Sequence, residues 1–286
     1  MRLFAVILAL GLCGPALFGP VSALAEILRQ TDDGTGLVAL QTADDSRGWE
    51  AVGRLNLGDR GFCTGALIAD DLVLTAAHCL FDKETGARVD PDTIEFLVGW
   101  RNGRALAYRG VKLAIAHPEY VYGGDTGIDR VTFDLALIKL DRPVQLQRVQ
   151  PFALDVEPAT GDEVGIVSYA QDRAEMPSLQ ETCHVLSREP VALVMDCSVD
   201  FGASGAPIFT FKDGVARVVS VVSAKAQLDG RSVSLGVALE EPLAELRAQM
   251  VADTAGLPGH GGTRALSTGS GLSAKFLRAP DANEAP

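Results

Sequence analysis

Apolar residues in this chain come in short runs rather than at helical spacing. From Ala51 onward, stretches rich in Val, Leu, Ile and Ala alternate with Gly, Asp, Asn and Pro. The runs are AVGRLNL (51–57), CTGALI (63–68), LVLTAA (72–77), IEFLV (94–98), VKLAIA (111–116) and LALIKL (135–140). After a connector come VGIVSYA (164–170), CHVL (183–186), VALVMDC (191–197), APIFTF (206–211), VARVVSVVSA (215–224) and VSLGVAL (233–239). Each is of strand length, suits a pleated half-buried surface and is bounded by turn formers. Twelve such strands at short, regular spacing predict an all-β sandwich or barrel. The connector, around Asp141–Gly161, holds Pro143, Pro151 and Pro158 and divides the strands six and six. Two packed six-stranded antiparallel β-barrels are the simplest architecture that follows. One segment breaks the pattern: EEPLAELRAQM (240–250) sets Leu243, Leu246 and Met250 at helical spacing, with Pro242 in the first turn where it is tolerated. It predicts a C-terminal helix lying on a barrel.

The ends of the chain read differently. Residues 1–25 have the pattern of a signal peptide: Arg2, the apolar LFAVILALGL that is too short to span a bilayer, and Ala23-Leu24-Ala25 as an A-x-A cleavage site. A lipoprotein modified at Cys13 is the alternative, and Leu12 stands where such a signal wants a small residue. Residues 26–48, polar and Asp/Gly-rich, read as a leader or N-terminal arm. The first barrel is expected over 49–142, the second with its helix over 143–251, and a disordered tail, rich in Gly, Ala, Ser and Pro, over 252–286.

A signal peptide implies a periplasmic or secreted protein, and that changes the meaning of the cysteines. Cys13 leaves with the signal; Cys63, Cys79, Cys183 and Cys197 remain. An even number in an oxidising compartment predicts two disulfides. Three connectivities are possible, and the local pairs 63–79 and 183–197 are favoured. No C-x-x-C or H-E-x-x-H spacing suggests zinc, and no EF-hand spacing suggests calcium, so no metal is expected. With 286 residues, 47% of them apolar, the chain can build a sizeable core. The formal net charge of −12, with no basic stripe, argues against nucleic acid and against an anionic membrane surface once the signal is removed.

Three stretches carry candidate chemistry. In LTAAHC (74–79), His78 follows two alanines at the end of a strand; imidazole is the commonest general base, although a lone histidine is more often structural. In FDLALIKL (133–140), Asp134 sits where apolar alternation begins, and a buried carboxylate is costly unless it is paired. In VDFGASGAPIF (199–209), Ser204 lies among small residues, as a nucleophile or as a turn residue. A nucleophilic serine needs a base, and the base an orienting acid. The chain order His78, Asp134, Ser204 is one of the orders in which that constellation occurs. The α/β-hydrolase elbow, by contrast, asks for Gly where Ala206 stands.

TAAHC, DLALIKL and GASGAP, with CTGALIADDLVLTAAHC (63–79) and HPEY (117–120), resemble the signature blocks of the trypsin/chymotrypsin-like serine proteases. The resemblance covers roughly 49–250 and is nearest the bacterial exported glutamyl-endopeptidase-like branch. It implies a chymotrypsin-like fold and a monomeric serine endopeptidase that acts on polypeptides without a cofactor. Ser204 would be the nucleophile, His78 the base and Asp134 the orienting acid, with the Gly202 and Ser204 amides as oxyanion hole. Ser198 would stand at the base of the primary pocket, and Ser223 on the pocket wall 218–224, where backbone pairs with substrate.

This sequence departs from the family at several points. Ala203 replaces the aspartate that pairs with a new N-terminus in trypsin-like zymogens, so that activation route is not implied. Ser198 lacks the acid of Arg/Lys-specific enzymes, and Val222 replaces the histidine usual in glutamyl endopeptidases. A small or apolar side chain is the expected occupant, with Lys225 read as solvated. A binding module on an inactive protease fold is the competing class. The insertion-like loops 82–92 and 121–130 are where a site could be misplaced, and Asp125 and Asp129 are rival acids. His117, His184 and His260 read as turn, half-exposed strand and tail residues.

Overall fold

The computed structural model describes residues 36–123 and 131–256. Residues 1–35, which hold the signal-like segment and much of the leader, lie outside the described residues, as do Asp125, Asp129, His260 and the tail from 257. All twelve predicted runs form strands, and a short strand precedes them. In chain order these are β1 (Val38–Ala39), β2 (Val52–Leu57), β3 (Phe62–Ala69), β4 (Leu72–Thr75), β5 (Ile94–Val98), β6 (Ala107–Ala116) and β7 (Ala136–Leu140), followed by β8 (Glu163–Ser168), β9 (Ser178–Arg188), β10 (Ala192–Met195), β11 (Pro207–Lys212), β12 (Val215–Leu228) and β13 (Arg231–Val237). Helix α1 (Glu240–Gly256) ends the described chain.

The strands close into two antiparallel six-stranded barrels. The first runs β2-β3-β4-β7-β6-β5, and the second runs β8-β9-β10-β13-β12-β11 with β1 added to β9. Closure removes the unpaired edges that short apolar strands would otherwise expose. The strands are buried on one or both faces. Along β7, Ala136, Leu137, Ile138 and Leu140 are buried, while Lys139 reaches out to pair with Asp71 at 2.7 Å. Leu55, Leu67, Leu74 and Phe96 fill the first barrel; Val164, Ile166, Met195 and Ile208 fill the second. The connector closes the joint, since Phe152 meets Phe209 of β11 at 4.8 Å and Trp49 meets Phe209 at 5.1 Å, both edge-on.

Several elements differ from their sequence signals. β9 extends well beyond CHVL because some of its inward positions are polar: Ser178 and Gln180 are buried, and Gln180 Oε1 accepts the Ser198 N–H at 2.7 Å. β6 begins at Ala107 rather than at Val111, with Tyr108 exposed on it. Of the run 72–77 only Leu72–Thr75 is strand, and Ala77–Leu80 forms a 3-10 turn. Helix α1 continues to Gly256 and packs across onto β6 and β7 of the first barrel, burying Leu243, Leu246 and Met250. Among the described residues no helix is long and apolar enough to cross a membrane. Both local disulfides are formed, Cys63–Cys79 and Cys183–Cys197. The first ties β3 to the turn that carries His78; the second ties β9 to the segment leading toward Ser204.

Thr64 on β3 is one of the residues that join the two barrels at the site, and it is fully buried. Its N–H donates to the Ser204 carbonyl at 2.9 Å. Its hydroxyl donates to the Gly202 carbonyl at 2.8 Å and accepts the Tyr169 N–H at 3.1 Å, and its carbonyl accepts from the Thr75 hydroxyl at 2.9 Å. Replacing the hydroxyl by a methyl would leave a buried carbonyl and a buried amide unpaired, each worth about 1–3 kcal/mol. Thr64→Val is therefore expected to lower unfolding stability by about 2–6 kcal/mol. Thr64→Ser, which keeps the hydroxyl, should retain most of it; urea unfolding of the three proteins measures the difference.

Candidate active site

His78 and Asp134 come from the same barrel. β4 ends at Thr75, Ala76 stays extended, and the chain then tightens into the 3-10 turn that presents His78. Ala76 and Ala77 are fully buried, so nothing bulkier fits behind the imidazole. Asp134 stands two residues before β7, which pairs with β4, and that pairing brings the two together. The His78 N–H donates to Asp134 Oδ1 at 2.8 Å, and the ring Nδ1 lies 2.7 Å from Oδ2. An ionised carboxylate only accepts, so Nδ1 carries the proton and Nε2 is left as the basic nitrogen. Asp134 is 1% exposed. A third donor, the Ser223 hydroxyl, also reaches Oδ2. Three donors are what allow a carboxylate to be buried here.

The residue before Asp134 adopts an unusual backbone. Phe133 has φ +62, the left-handed region that disfavours a bulky side chain. Its ring stacks on His117 with centroids 4.6 Å apart and planes 15° from parallel. The His117 side chain is fully buried; its Nδ1 accepts the Glu119 N–H at 3.3 Å, and its Nε2 lies 3.2 Å from the Glu245 carboxylate of α1. The turn histidine of HPEY is thus a packing partner of the segment that holds Asp134. Burial keeps its pKa below the ordinary 6.5, against the opposing pull of Glu245 and Glu119.

Ser204 comes from the second barrel, in the tight turn ahead of β11. Two glycines shape that turn. Gly202 has φ +98, and a Cβ there would lie 2.4 Å from the Phe62 ring. Gly205 has φ +75, and a Cβ there would lie 2.1 Å from the Thr75 hydroxyl. The serine turn therefore rests directly on the end of β4, just before His78. The amides of Ala203, Gly205 and Ala206 donate to the carbonyls of Asp200, Val222 and Ala203; those of Gly202 and Ser204 meet no backbone carbonyl among the described residues. Two neighbouring N–H groups beside a serine are a means of stabilising an oxyanion.

Beside Ser204 opens a cavity of about 510 Å³, walled by Val199, Phe201, Val222, Ser223 and Lys225 among others. Ser223 sits at a register shift between β12 and β13, which takes it out of the regular ladder and turns its hydroxyl toward Asp134. Sequence reading placed Ser223 on the pocket wall and missed that second contact, because no local signal marks the bulge. Ser198 lines a neighbouring cavity of about 250 Å³ rather than the one holding Ser204. Cys63, His78 and Cys79 bring potential metal-ligating atoms within 4.8 Å of one another, but the two sulfurs are bonded to each other.

Two closed barrels with a histidine–aspartate pair on one and a serine turn on the other define a chymotrypsin-like architecture. A solved structure of a Glu endopeptidase in complex with MPD shares it, with a TM-score of 0.63 and 17% identity, over 78% of this chain and 99% of that one. The Trypsin family model matches residues 41–238, and the chain belongs to that family, the trypsin/chymotrypsin-like serine proteases. It is 35% identical over 105 residues to a trypsin of Phaedon cochleariae, a stretch covering 36% of each chain. It is 25% identical over 150 residues to a glutamyl endopeptidase of Bacillus licheniformis, covering 52% of this chain and 45% of that one. With Homo sapiens kallikrein-10 it shares 34% identity over 116 residues, 39% of this chain and 40% of that one. These matched stretches span less than half the length of each relative.

The buried histidine makes stability depend on pH. With a folded pKa below the unfolded one, His117 takes up protons more readily after unfolding, so its contribution is complete above about pH 6.5 and is lost as the pH falls through the folded value. Relative to wild type, His117→Phe, which keeps the stack on Phe133, should lose less stability between about pH 7 and pH 5. Urea midpoints measured across that range test it; parallel curves would mean that His117 is not the titrating group.

Proposed function

We propose that this protein is an exported serine endopeptidase that hydrolyses peptide bonds through His78, Asp134 and Ser204. The observation that carries the reading is the buried Asp134 carboxylate held on both the backbone and the ring of His78, at 2.8 and 2.7 Å, in a chain of the trypsin family. Ser204 Oγ attacks the scissile carbonyl carbon as His78 Nε2 takes its proton; the C–N bond then breaks, and the imidazolium returns that proton to the leaving amine. The acyl-enzyme is released by water activated in the same way. Asp134 holds the tautomer and stabilises the imidazolium, Ser223 positions Asp134, and the Gly202 and Ser204 amides receive the oxyanion. Every step uses side chains and amides of this chain.

Export rests on the signal-like residues 1–25 and on the two disulfides, which suit an oxidising compartment. Residues 26–48 are then a leader or arm, 49–142 and 143–251 the two barrel domains, and 252–286 a tail; the mature form acts as a monomer. The periplasm or the exterior is its place of work.

A fluorophosphonate probe on the folded, leader-trimmed protein should label Ser204, and Ser204→Ala should abolish labelling. Asp134→Asn, which exchanges the orienting carboxylate for an amide, should lower kcat by about 10⁴-fold. Ser223→Ala, which removes one hydrogen bond to a charged group, should lower it by about tenfold to a hundredfold. A folded protein that stays unlabelled would instead be a binding module built on the protease fold.

A further inference from the structure

The cavity beside Ser204 holds two opposite charges that face each other. Lys225 Nζ lies 3.7 Å from Asp200 Oδ2, and both side chains are about half exposed, at 51% and 52%. The other carboxylate oxygen of Asp200 accepts the Phe201 N–H at 2.8 Å, which fixes the acid at the rim. The apolar part of the wall is Val199 and Val222, both buried, with Phe201, Ala224 and Ala226; Ser204, Ser223, Gln227 and Ser232 supply uncharged polar groups. Asp200 and Lys225 also line the smaller cavity that contains Ser198, so the pair stands in the wall between the two spaces.

We propose that Asp200 and Lys225 form a self-neutralised pair that makes this protein select an uncharged, apolar side chain on the acyl side of the scissile bond. This rests on the serine endopeptidase reading above. A carboxylate entering the cavity gains Lys225 and meets Asp200 a few ångströms away; an ammonium or guanidinium gains Asp200 and meets Lys225. Neither finds a net field, and both lose water on entry without recovering it. An apolar side chain loses nothing at the pair and buries its surface against the valines and Phe201. Val222 adds no charge where it borders the cavity. Selectivity would thus come from two charges that cancel rather than from an absence of charge, and removing either one should uncover the other.

Peptide substrates differing only in Leu, Ala, Glu or Lys before the scissile bond test this, with kcat/KM as the readout. Wild type should prefer Leu and Ala to both Glu and Lys by about tenfold or more. Asp200→Asn should raise the Glu-to-Leu ratio by about tenfold, and Lys225→Gln should raise the Lys-to-Leu ratio by a similar factor. The double variant Asp200→Asn with Lys225→Gln, which keeps an acceptor for the Phe201 N–H and is again neutral, should restore the wild-type order. A wild type that prefers Glu or Lys, or single variants whose ratios do not move, would overturn the proposal. Fluorophosphonate labelling of Ser204 in every variant separates the two readings. Labelled protein with unchanged ratios refutes the pair alone, whereas unlabelled folded protein refutes the endopeptidase reading beneath it.

Discussion

The arrangement depends on the seam between the barrels being held to within a hydrogen bond. His78 and Asp134 belong to the first barrel and Ser204 to the second, so contacts across the seam must hold them together. Ser223 of the second barrel reaches Asp134 directly, and Thr64 makes several of the others. Its amide grips the Ser204 carbonyl, its hydroxyl grips the Gly202 carbonyl, and its own carbonyl is tied to Thr75 at the end of the strand leading to His78. The glycines at 202 and 205 follow from the same constraint. The turn comes so close to Phe62 and Thr75 that a Cβ at either position would overlap its neighbours. A catalytic site assembled from two domains loses rate steeply with misplacement, so a seam without slack is what the proposed chemistry would require.

Within the first barrel the governing difficulty is a charge in an apolar core. Asp134 is surrounded by buried side chains and remains tenable because the His78 amide, the His78 ring and the Ser223 hydroxyl all donate to it. The residue before Asp134 adopts an uncommon backbone. Phe133 is left-handed, a conformation with a cost of about 1–3 kcal/mol, and its stacking on the buried His117 is the compensating contact. His117 reaches α1 through Glu245, so the C-terminal helix, packed across the first barrel, supports the segment carrying the acid.

The cavity illustrates how little of a substrate preference follows from family membership. The chain belongs to the trypsin family, and its fold is that of a Glu endopeptidase structure, yet the walls beside Ser204 are largely apolar and the two charges present face each other. A shared scaffold leaves the cavity free to vary, because its lining comes from loops and from the irregular part of β12.

Much of this was legible in the residues themselves. The strands could be read because β-branched runs bounded by Gly, Asp and Pro act locally, through backbone preference and through which face must be buried. The helix start and the two barrels followed from the same short-range information, while the cysteine spacing favoured the local pairs among three connectivities. β9 was under-read because Ser178 and Gln180 point inward, where hydrogen bonds rather than apolar surface satisfy them. The Ser223 contact with Asp134, the left-handed Phe133 on His117, the Asp200–Lys225 pair and the placement of Ser198 in the smaller cavity next to the one beside Ser204 left no trace in any window of sequence. Each joins residues far apart in the chain or hangs on a register shift. By itself the sequence determined the strands, their division into two barrels and the residue types available for chemistry, because those depend on local propensity and burial. Tertiary structure alone decided which of those residues meet and which charges cancel, because that is set by barrel closure, by a bulge in one ladder and by the fit of one threonine across the seam.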